Sequence, residues 1–154
     1  MKTKASVLMA FILVWMLLAL PAPVQATTPD TLNIDAYLWV TGENSAAGYF
    51  CTSELFVICG DASEFFFTAG NTIHGVKTLV GDQGTITIGF QANLTWNPDG
   101  TGDANWRYVI VSGTGAYEKL HGVGTTHATL SLACIGLDCP PNIEAYYTGT
   151  GHFD

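Results

Sequence analysis

The stretch Ser112–Thr126 reads SGTGAYEKLHGVGTT and carries most of the information about the fold. It separates two runs in which apolar and polar residues alternate, Trp106–Val111 and Thr125–Ala133. Such alternation is typical of half-buried β-strands. Glycine is favoured at tight turns and where two stretches of backbone approach closely. We therefore predict that this stretch is a corner between two long antiparallel strands.

Six residues of this stretch have predicted structural roles. The first two glycines form the turn, the tyrosine and leucine cover the core, and the last two glycines bend the departing strand. In that order they are Gly113, Gly115, Tyr117, Leu120, Gly122 and Gly124. The spacing is not that of a phosphate-binding G-x-G-x-x-G loop, and no helical pattern follows it.

Turn-forming residues divide the rest of the chain after residue 26 into short runs, about eight strands in all. In the clearest run, Thr85–Leu94, every second residue is apolar. By composition, Thr41–Gly48 and Thr101–Asn105 are expected to be loops and Gly60–Asp61 a turn. Many short strands joined by turns are typical of a β-barrel or a β-sandwich. We predict one all-β domain, a single eight-stranded antiparallel β-barrel, with a β-sandwich as the alternative.

Paired glycines favour the barrel. Gly122 and Gly124 share one strand face, and Gly149 and Gly151 share a face of the last strand. A small closed barrel bends its strands and crowds side chains at its axis, and glycine relieves both constraints. A sandwich has less need of glycine pairs on its packed face.

Residues 1–26 have the pattern of a secretory signal peptide. Two lysines precede the apolar run Val7–Leu20, two prolines follow it, and Val24–Ala26 fits a small-x-small cleavage site. The run is shorter than the ~20 residues that span a bilayer. We therefore expect no stable membrane anchor, a mature domain at residues 27–154, and a secreted or periplasmic location.

The mature domain is strongly acidic. All 13 Asp and Glu residues follow residue 26, whereas only Lys77, Arg107 and Lys119 remain of the basic residues, so the net charge is −10. A surface of this charge repels nucleic acids and anionic lipids, and neither is an expected partner.

Four cysteines, an even number in an exported chain, predict two disulfides. Of the three pairings we prefer the local ones, Cys51–Cys59 and Cys134–Cys139. A straight strand would hold Cys51 and Cys59 ~26 Å apart, beyond disulfide reach, so a turn is expected between them. The cysteine spacing suits a structural zinc site poorly.

The segment Ser112–Thr125, SGTGAYEKLHGVGT, resembles the G-T-G-x-[FY]-x-x-[LA]-x-G-x-G segment of allene oxide cyclase-like and dirigent-like barrels. The earlier segment GDQGTITIGFQANL, residues 81–94, resembles their G-x-G-[ST]-[IL] strand. The resemblance covers Thr72–Thr126. It implies an eight-stranded barrel with an apolar interior, small hydrophobic ligands, and homo-oligomers such as trimers. Plant members cyclise an unstable fatty-acid epoxide or steer radical coupling of phenols.

Six apolar or aromatic residues are candidates to line a cavity in the barrel. They are Phe66, Ile88, Phe90, Trp106, Tyr108 and Tyr147. They would equally fill a closed core, since an eight-stranded barrel is just wide enough for either. The leading function is binding of a small hydrophobic or phenolic molecule. The alternatives are an isomerase or cyclase acting on a reactive lipid or phenol, and a structural or interaction protein with a filled core.

No catalytic motif stands out, because neither G-x-S-x-G nor H-E-x-x-H occurs. Three carboxylates, Asp35, Glu54 and Glu64, lie on or near strands rich in aromatic residues, and one that faced an apolar interior would suit general acid catalysis. The histidines at 74, 121, 127 and 152 leave a cross-strand metal site open as the less favoured alternative. We expect no metal and no cofactor, and we assign no catalytic residue.

Overall fold

The protein is an all-β barrel in the computed structural model, which describes residues 28–131, 133–134 and 138–154. Each strand pairs antiparallel with the next, and the last pairs with the first, so the sheet closes on itself. The strands are β1 Asp30–Gly42, β2 Ser45–Glu54, β3 Cys59–Ala69, β4 Thr72–Gly81, β5 Gly84–Trp96, β6 Thr101–Gly113, β7 Leu120–Ser131 and β8 Ile143–Phe153. The predicted eight-stranded barrel is confirmed and the sandwich alternative is wrong. The predicted signal peptide, residues 1–26, lies outside the described residues.

The core follows from the period of two along each strand. On β5, Ile86, Ile88 and Phe90 are buried, while Gln91 and Asn93 are exposed on the outside. The same alternation runs along every strand, because successive side chains of a strand point to opposite faces. The barrel interior is therefore the hydrophobic core, and the outer face of the sheet carries most of the polar residues.

The paired glycines lie where the interior is most crowded. Gly124 and Gly149 are directly opposite across β7 and β8. A Cβ atom added to Gly124 would lie 2.6 Å from the Tyr108 ring, and one added to Gly149 would lie 2.7 Å from the Tyr108 hydroxyl. Gly122 leaves room for Ile110 in the same way. These glycines thus make space for large side chains that β6 directs into the barrel.

The Ser112–Thr126 stretch forms the connection between β6 and β7. β6 ends at Gly113, Gly115–Tyr117 form a single 3₁₀ turn, and β7 begins at Leu120. Gly115 has φ +60°, a conformation that residues with a side chain adopt rarely. Tyr117 and Leu120 are buried against the core. The stretch therefore combines a turn with a cover over one end of the barrel.

The two ends of the barrel differ. At the end that holds the β6–β7 connection, the loop between β2 and β3 folds inward. Its Phe56 ring lies 5.3 Å from that of Tyr117 and 6.1 Å from that of Phe153. Leu55 and Ile58 also pack on the core there. This end is closed by side chains, whereas the opposite end leads into a cavity.

Two predicted loops and one predicted turn are wrong. The chain turns between β1 and β2 only at residues 43–44, and Thr41–Gly48 lies mostly in strands. The small residues there suit a strand, because a Cβ on Gly48 would collide with the carbonyl oxygen of Tyr37. Gly60–Asp61 lies in β3, where a Cβ on Gly60 would likewise strike Val80. Thr101–Asn105 is the beginning of β6.

Both preferred disulfides are present. Cys51 and Cys59 are directly opposite across β2 and β3, and the predicted turn lies between them. Cys134 and Cys139 join within the connection between β7 and β8. Asn142 fastens this connection to the barrel by donating hydrogen bonds to the carbonyl oxygens of Ser131 and Cys134.

The glycine contacts predict a graded response to alanine substitution. Gly124→Ala should lower the free energy of unfolding by about 1–3 kcal/mol or more, because the new methyl group would strike the Thr148 carbonyl oxygen and overpack the Tyr108 ring. Gly89→Ala is the matched control on the outside of β5, where the nearest atom is a Val111 methyl at 3.2 Å, and it should be almost neutral. Urea unfolding of the two variants checks this, and equal losses would contradict the proposed role of Gly124.

Candidate functional site

An apolar cavity of about 280 Å³ opens at the end of the barrel opposite the β6–β7 connection. It lies between the late parts of β1, β3, β5 and β7 and the early parts of β4, β6 and β8. Its walls are formed largely by Phe66, Ile73, Phe90, Leu94, Trp106 and Ile143. Glu43 lies at the cavity as well, in the turn between β1 and β2, and Glu64 is the second carboxylate that lines it.

The cavity exists because small and large residues alternate around it. Ala92 and Ala104 are short side chains in its wall. Gly75, across from Phe66 on β4, has no side chain, and a Cβ there would strike the Phe90 ring. The Phe90 ring therefore packs against the β4 backbone, 5.6 Å from the Trp106 ring.

A lysine–glutamate pair lies at the inner end of this cavity. Glu64 on β3 and Lys77 on β4 are direct cross-strand partners, and both point into the barrel. The Lys77 Nζ atom lies 3.0 Å from Oε2 of Glu64, and the exposed fractions of the two side chains are 0% and 8%. Glu64 reaches the cavity, and Lys77 lies behind it. A charged pair this deeply buried is expensive to desolvate and persists only when each charge has its partner.

Aromatic side chains surround the pair. The Lys77 ammonium lies 4.8 Å from the centre of the Tyr147 ring, within the range of a cation–π contact. Tyr147 in turn packs edge-on against Trp106 and Tyr108, with ring centres 6.0 and 5.4 Å apart. Along the barrel interior, the apolar cavity is followed by the ion pair and then by the tyrosines Tyr108 and Tyr147.

Burial and neighbouring charges shift the pKa values of Lys77, Tyr108 and Tyr147. Burial alone would lower the pKa of Lys77, but the carboxylate of Glu64 and the neighbouring Tyr147 outweigh it, so the pKa of Lys77 is raised. Burial raises the pKa of Tyr147 to about 12 and that of Tyr108 to about 12. At neutral pH the lysine is therefore charged and both tyrosines keep their protons.

Five buried polar atoms have no aligned hydrogen-bond partner among the described residues. They are Nζ of Lys77, Nε1 of Trp106, the hydroxyl oxygens of Tyr108 and Tyr147, and Oγ1 of Thr126. All five groups can donate a hydrogen bond, and all belong to side chains inside the barrel. The Nζ atom of Lys77 still has the Glu64 carboxylate 3.0 Å away, and the other four donors are enclosed by the surrounding side chains with almost no accessible surface.

The six candidate cavity residues divide into two groups. Phe66, Phe90 and Trp106 line the cavity. Ile88, Tyr108 and Tyr147 are buried in the core and do not line it. The interior is therefore partly filled and partly open.

Sequence reasoning missed Lys77, which it counted only as a residual positive charge. A signal was available: Lys77 has the parity of Ile73 and Leu79 on β4, and Glu64 has the parity of Ala62 and Phe66 on β3. Each of the two strands therefore places one charged residue on the core face, and the two charges have opposite sign. The other two carboxylates behave differently, since Glu54 is exposed at the end of β2 and Asp35 lies half-buried on the outer side of β1.

The histidines lie on the outside of the barrel. His121 and His152 stack across β7 and β8 with ring centres 5.5 Å apart, and their Nε2 atoms lie 3.1 and 3.5 Å from the two carboxylate oxygens of Asp154. Within the described part of the chain, no group of three or more His, Cys, Asp or Glu residues is placed to hold a metal ion.

Comparisons with known proteins add no name to this site. No family model, no curated protein and no solved structure matches the chain.

No helix within residues 28–131, 133–134 and 138–154 is long and apolar enough to cross a membrane. Two disulfides fit an oxidising, extracellular environment.

The buried pair predicts a strongly non-additive mutant cycle. Lys77→Met should lower the free energy of unfolding by about 3 kcal/mol or more, because it leaves the Glu64 charge buried without its partner. Adding Glu64→Met should restore most of that loss, since an apolar pair of similar volume removes both desolvation penalties. The exposed control Lys119→Met should change stability by less than about 0.5 kcal/mol. Urea unfolding measures the wild type, the two single variants Lys77→Met and Glu64→Met, the double variant and the control, and additive losses from the two single variants would contradict the pairing.

The raised pKa values predict loss of stability in alkali. Lys77, Tyr108 and Tyr147 each hold a proton more tightly in the folded protein than in the unfolded chain. As pH rises past about 10, the unfolded chain loses these protons first, and stability falls by at most about 1.4 kcal/mol per pH unit for each group. Tyr147→Phe should make the decline shallower. Guanidinium unfolding between about pH 8 and pH 11 checks this, and a flat profile would contradict it.

Proposed function

We propose that this protein is an exported barrel that binds a small, largely apolar molecule bearing a phenol-like hydroxyl group. The observation that carries the proposal is the apolar cavity with Glu64 at its inner end. The resemblance of Thr72–Thr126 to allene oxide cyclase-like and dirigent-like barrels supports the same ligand class. The two disulfides and the predicted signal peptide support export.

The cavity volume restricts the size of the ligand. A dry cavity of ~150 Å³ lined by aliphatic and aromatic side chains holds one benzene molecule. The cavity here is about 280 Å³, near the lower limit for small-molecule sites. It therefore suits a single substituted ring and is too small for a long lipid enclosed at full length.

The polar groups restrict the chemistry of the ligand's inner end. The Glu64 carboxylate lines the cavity and accepts hydrogen bonds. A hydroxyl group of the ligand can donate a hydrogen bond to it. A group that only accepts would meet the carboxylate unfavourably, so a phenol is preferred to the corresponding ether.

The test is a calorimetric titration of the disulfide-bonded mature protein with p-cresol and with its methyl ether, p-methylanisole. We expect the phenol to bind about tenfold more tightly, as one hydrogen bond to a charged group of about 1.5 kcal/mol implies. Thr68→Trp should weaken binding at least tenfold, because Thr68 is exposed at the cavity mouth. Thr95→Trp is the matched control, since Thr95 is also exposed but does not line the cavity.

Three results would contradict the proposal. If neither compound binds, the proposed class of ligand is wrong. If the phenol and its ether bind with equal affinity, Glu64 does not accept a hydrogen bond from the ligand. Equal affinity of the two tryptophan variants for p-cresol would place the bound molecule outside the cavity.

The second candidate is an isomerase or cyclase acting on a reactive phenol or lipid. It is favoured by one observation, the position of the Glu64–Lys77 pair beside Tyr147. A carboxylate can take a proton from a bound substrate, and nearby buried donors can stabilise the oxyanion that forms. Turnover that Glu64→Gln abolishes while p-cresol still binds would support an enzyme over a carrier, and binding without turnover of any reactive phenol would contradict it.

The interaction class is supported by an apolar band on the outer surface. Phe65, Val76, Val109 and Val123 are all exposed, and they lie in one register row with Gly89 across β3 to β7. A second copy of the chain would cover this band in a homo-oligomer such as a trimer. Native mass spectrometry shows the oligomeric state and any retained small molecule, and a spectrum of monomers alone would contradict self-association.

A further inference from the structure

A second, polar groove of about 760 Å³ lies on the outside of the barrel, across β5, β6, β7 and β8. It is separated from the interior cavity by the sheet itself. Its side chains form two rows in which each member is a direct cross-strand partner of the next. The first row is Gln91, Arg107, Thr125 and Thr148, and the second is Asn93, Asn105, His127 and Tyr146.

The rows offer many hydrogen bonds that the protein does not use. Some groups are engaged: His127 pairs with Asn105 at 3.0 Å, and Thr148 donates to Asn33 at 2.7 Å. Gln91, Arg107 and Thr125, in contrast, make no side-chain hydrogen bond or ion pair with any described residue. Neighbouring strands are ~4.8 Å apart, so these three groups form a continuous line of free donors and acceptors.

Arg107 is the unusual charge in this groove. It is one of three basic residues in a mature domain of net charge −10, yet it is exposed and no carboxylate in the described residues pairs with it. Two acidic side chains border the second row: Asp103 lies 4.0 Å from His127 and accepts a hydrogen bond from Asn97, and Asp35 is the direct cross-strand partner of Tyr146. An unpaired guanidinium offers a planar fork that binds a carboxylate through two parallel hydrogen bonds.

Tyr146 adds an aromatic surface at the end of the second row, with 45% of its side chain exposed. A sugar ring presents hydroxyl groups around its edge and apolar C–H groups on its face. The amides and hydroxyls of the two rows match the edge, and the tyrosine ring matches the face. The volume of the groove is within the range of small-molecule sites.

We propose that this outer groove binds a saccharide bearing a carboxylate, of the uronic acid class. Arg107 binds the carboxylate, Gln91, Asn93 and Thr125 bind ring hydroxyls, and Tyr146 packs on the sugar face. This site is independent of the barrel cavity and of its phenolic ligand.

The test is a titration of the disulfide-bonded mature protein with oligogalacturonate, followed by calorimetry. The matched ligand is the same oligosaccharide with every carboxyl group methyl-esterified. We expect the acid to bind at least tenfold more tightly than the ester. Arg107→Gln should weaken acid binding at least tenfold, and Arg107→Lys should recover only part of it, because lysine keeps the charge and loses the fork.

Two matched controls exclude general effects. Lys119→Gln removes a positive charge at another exposed position and should change affinity less than twofold. Tyr49 is exposed to the same 45% as Tyr146 but lies outside the groove, so Tyr146→Ala should weaken binding and Tyr49→Ala should not. Absence of binding, equal binding of acid and ester, or equal effects of Arg107→Gln and Lys119→Gln would overturn the proposal. Binding of p-cresol is measured on the same samples, so failure of this site is distinguishable from failure of the cavity.

Discussion

A lysine and a glutamate face each other inside an otherwise apolar barrel. Lys77 has no exposed surface, its ammonium lies 3.0 Å from the Glu64 carboxylate, and the Tyr147 ring covers it. Removing two charges from water is costly, and their attraction offsets that cost only in a fixed geometry. The direct cross-strand register of β3 and β4 provides that geometry. A shift of this register by one residue would place the two charges on opposite faces of the sheet.

The same pair divides the interior into two parts. On one side, Tyr108 and Tyr147 fill the barrel, and the glycines of β7 and β8 make space for the Tyr108 ring. On the other side, alanines and the bare backbone at Gly75 leave a cavity. The ion pair therefore lies at the boundary between the filled part and the open part of the interior.

Much of the fold could be predicted from the sequence, because alternation and turn chemistry are local. The glycine pairs and the Ser112–Thr126 corner indicated a closed barrel, and the cysteine spacing indicated the disulfides. The predictions failed at Thr41–Gly48 and Gly60–Asp61, where Gly48 and Gly60 allow close backbone packing within strands, and at Thr101–Asn105, which begins β6. The site was harder. Charged residues are usually exposed, so the burial of Lys77 was not predicted. Whether aromatic side chains fill a barrel depends on how their volumes fit together in three dimensions, which the sequence alone does not specify.

The central claim is that the Glu64–Lys77 pair is the inner end of a ligand cavity. It is tested most directly by carbon NMR of protein labelled at the glutamate carboxyl carbons, recorded during titration with p-cresol. The chain has five glutamates, so each signal can be assigned by single substitution. We predict that the Glu64 signal shifts most, with a saturation curve matching calorimetric binding, and that the exposed Glu54 does not respond. Saturable binding that leaves the Glu64 signal unchanged would contradict the account.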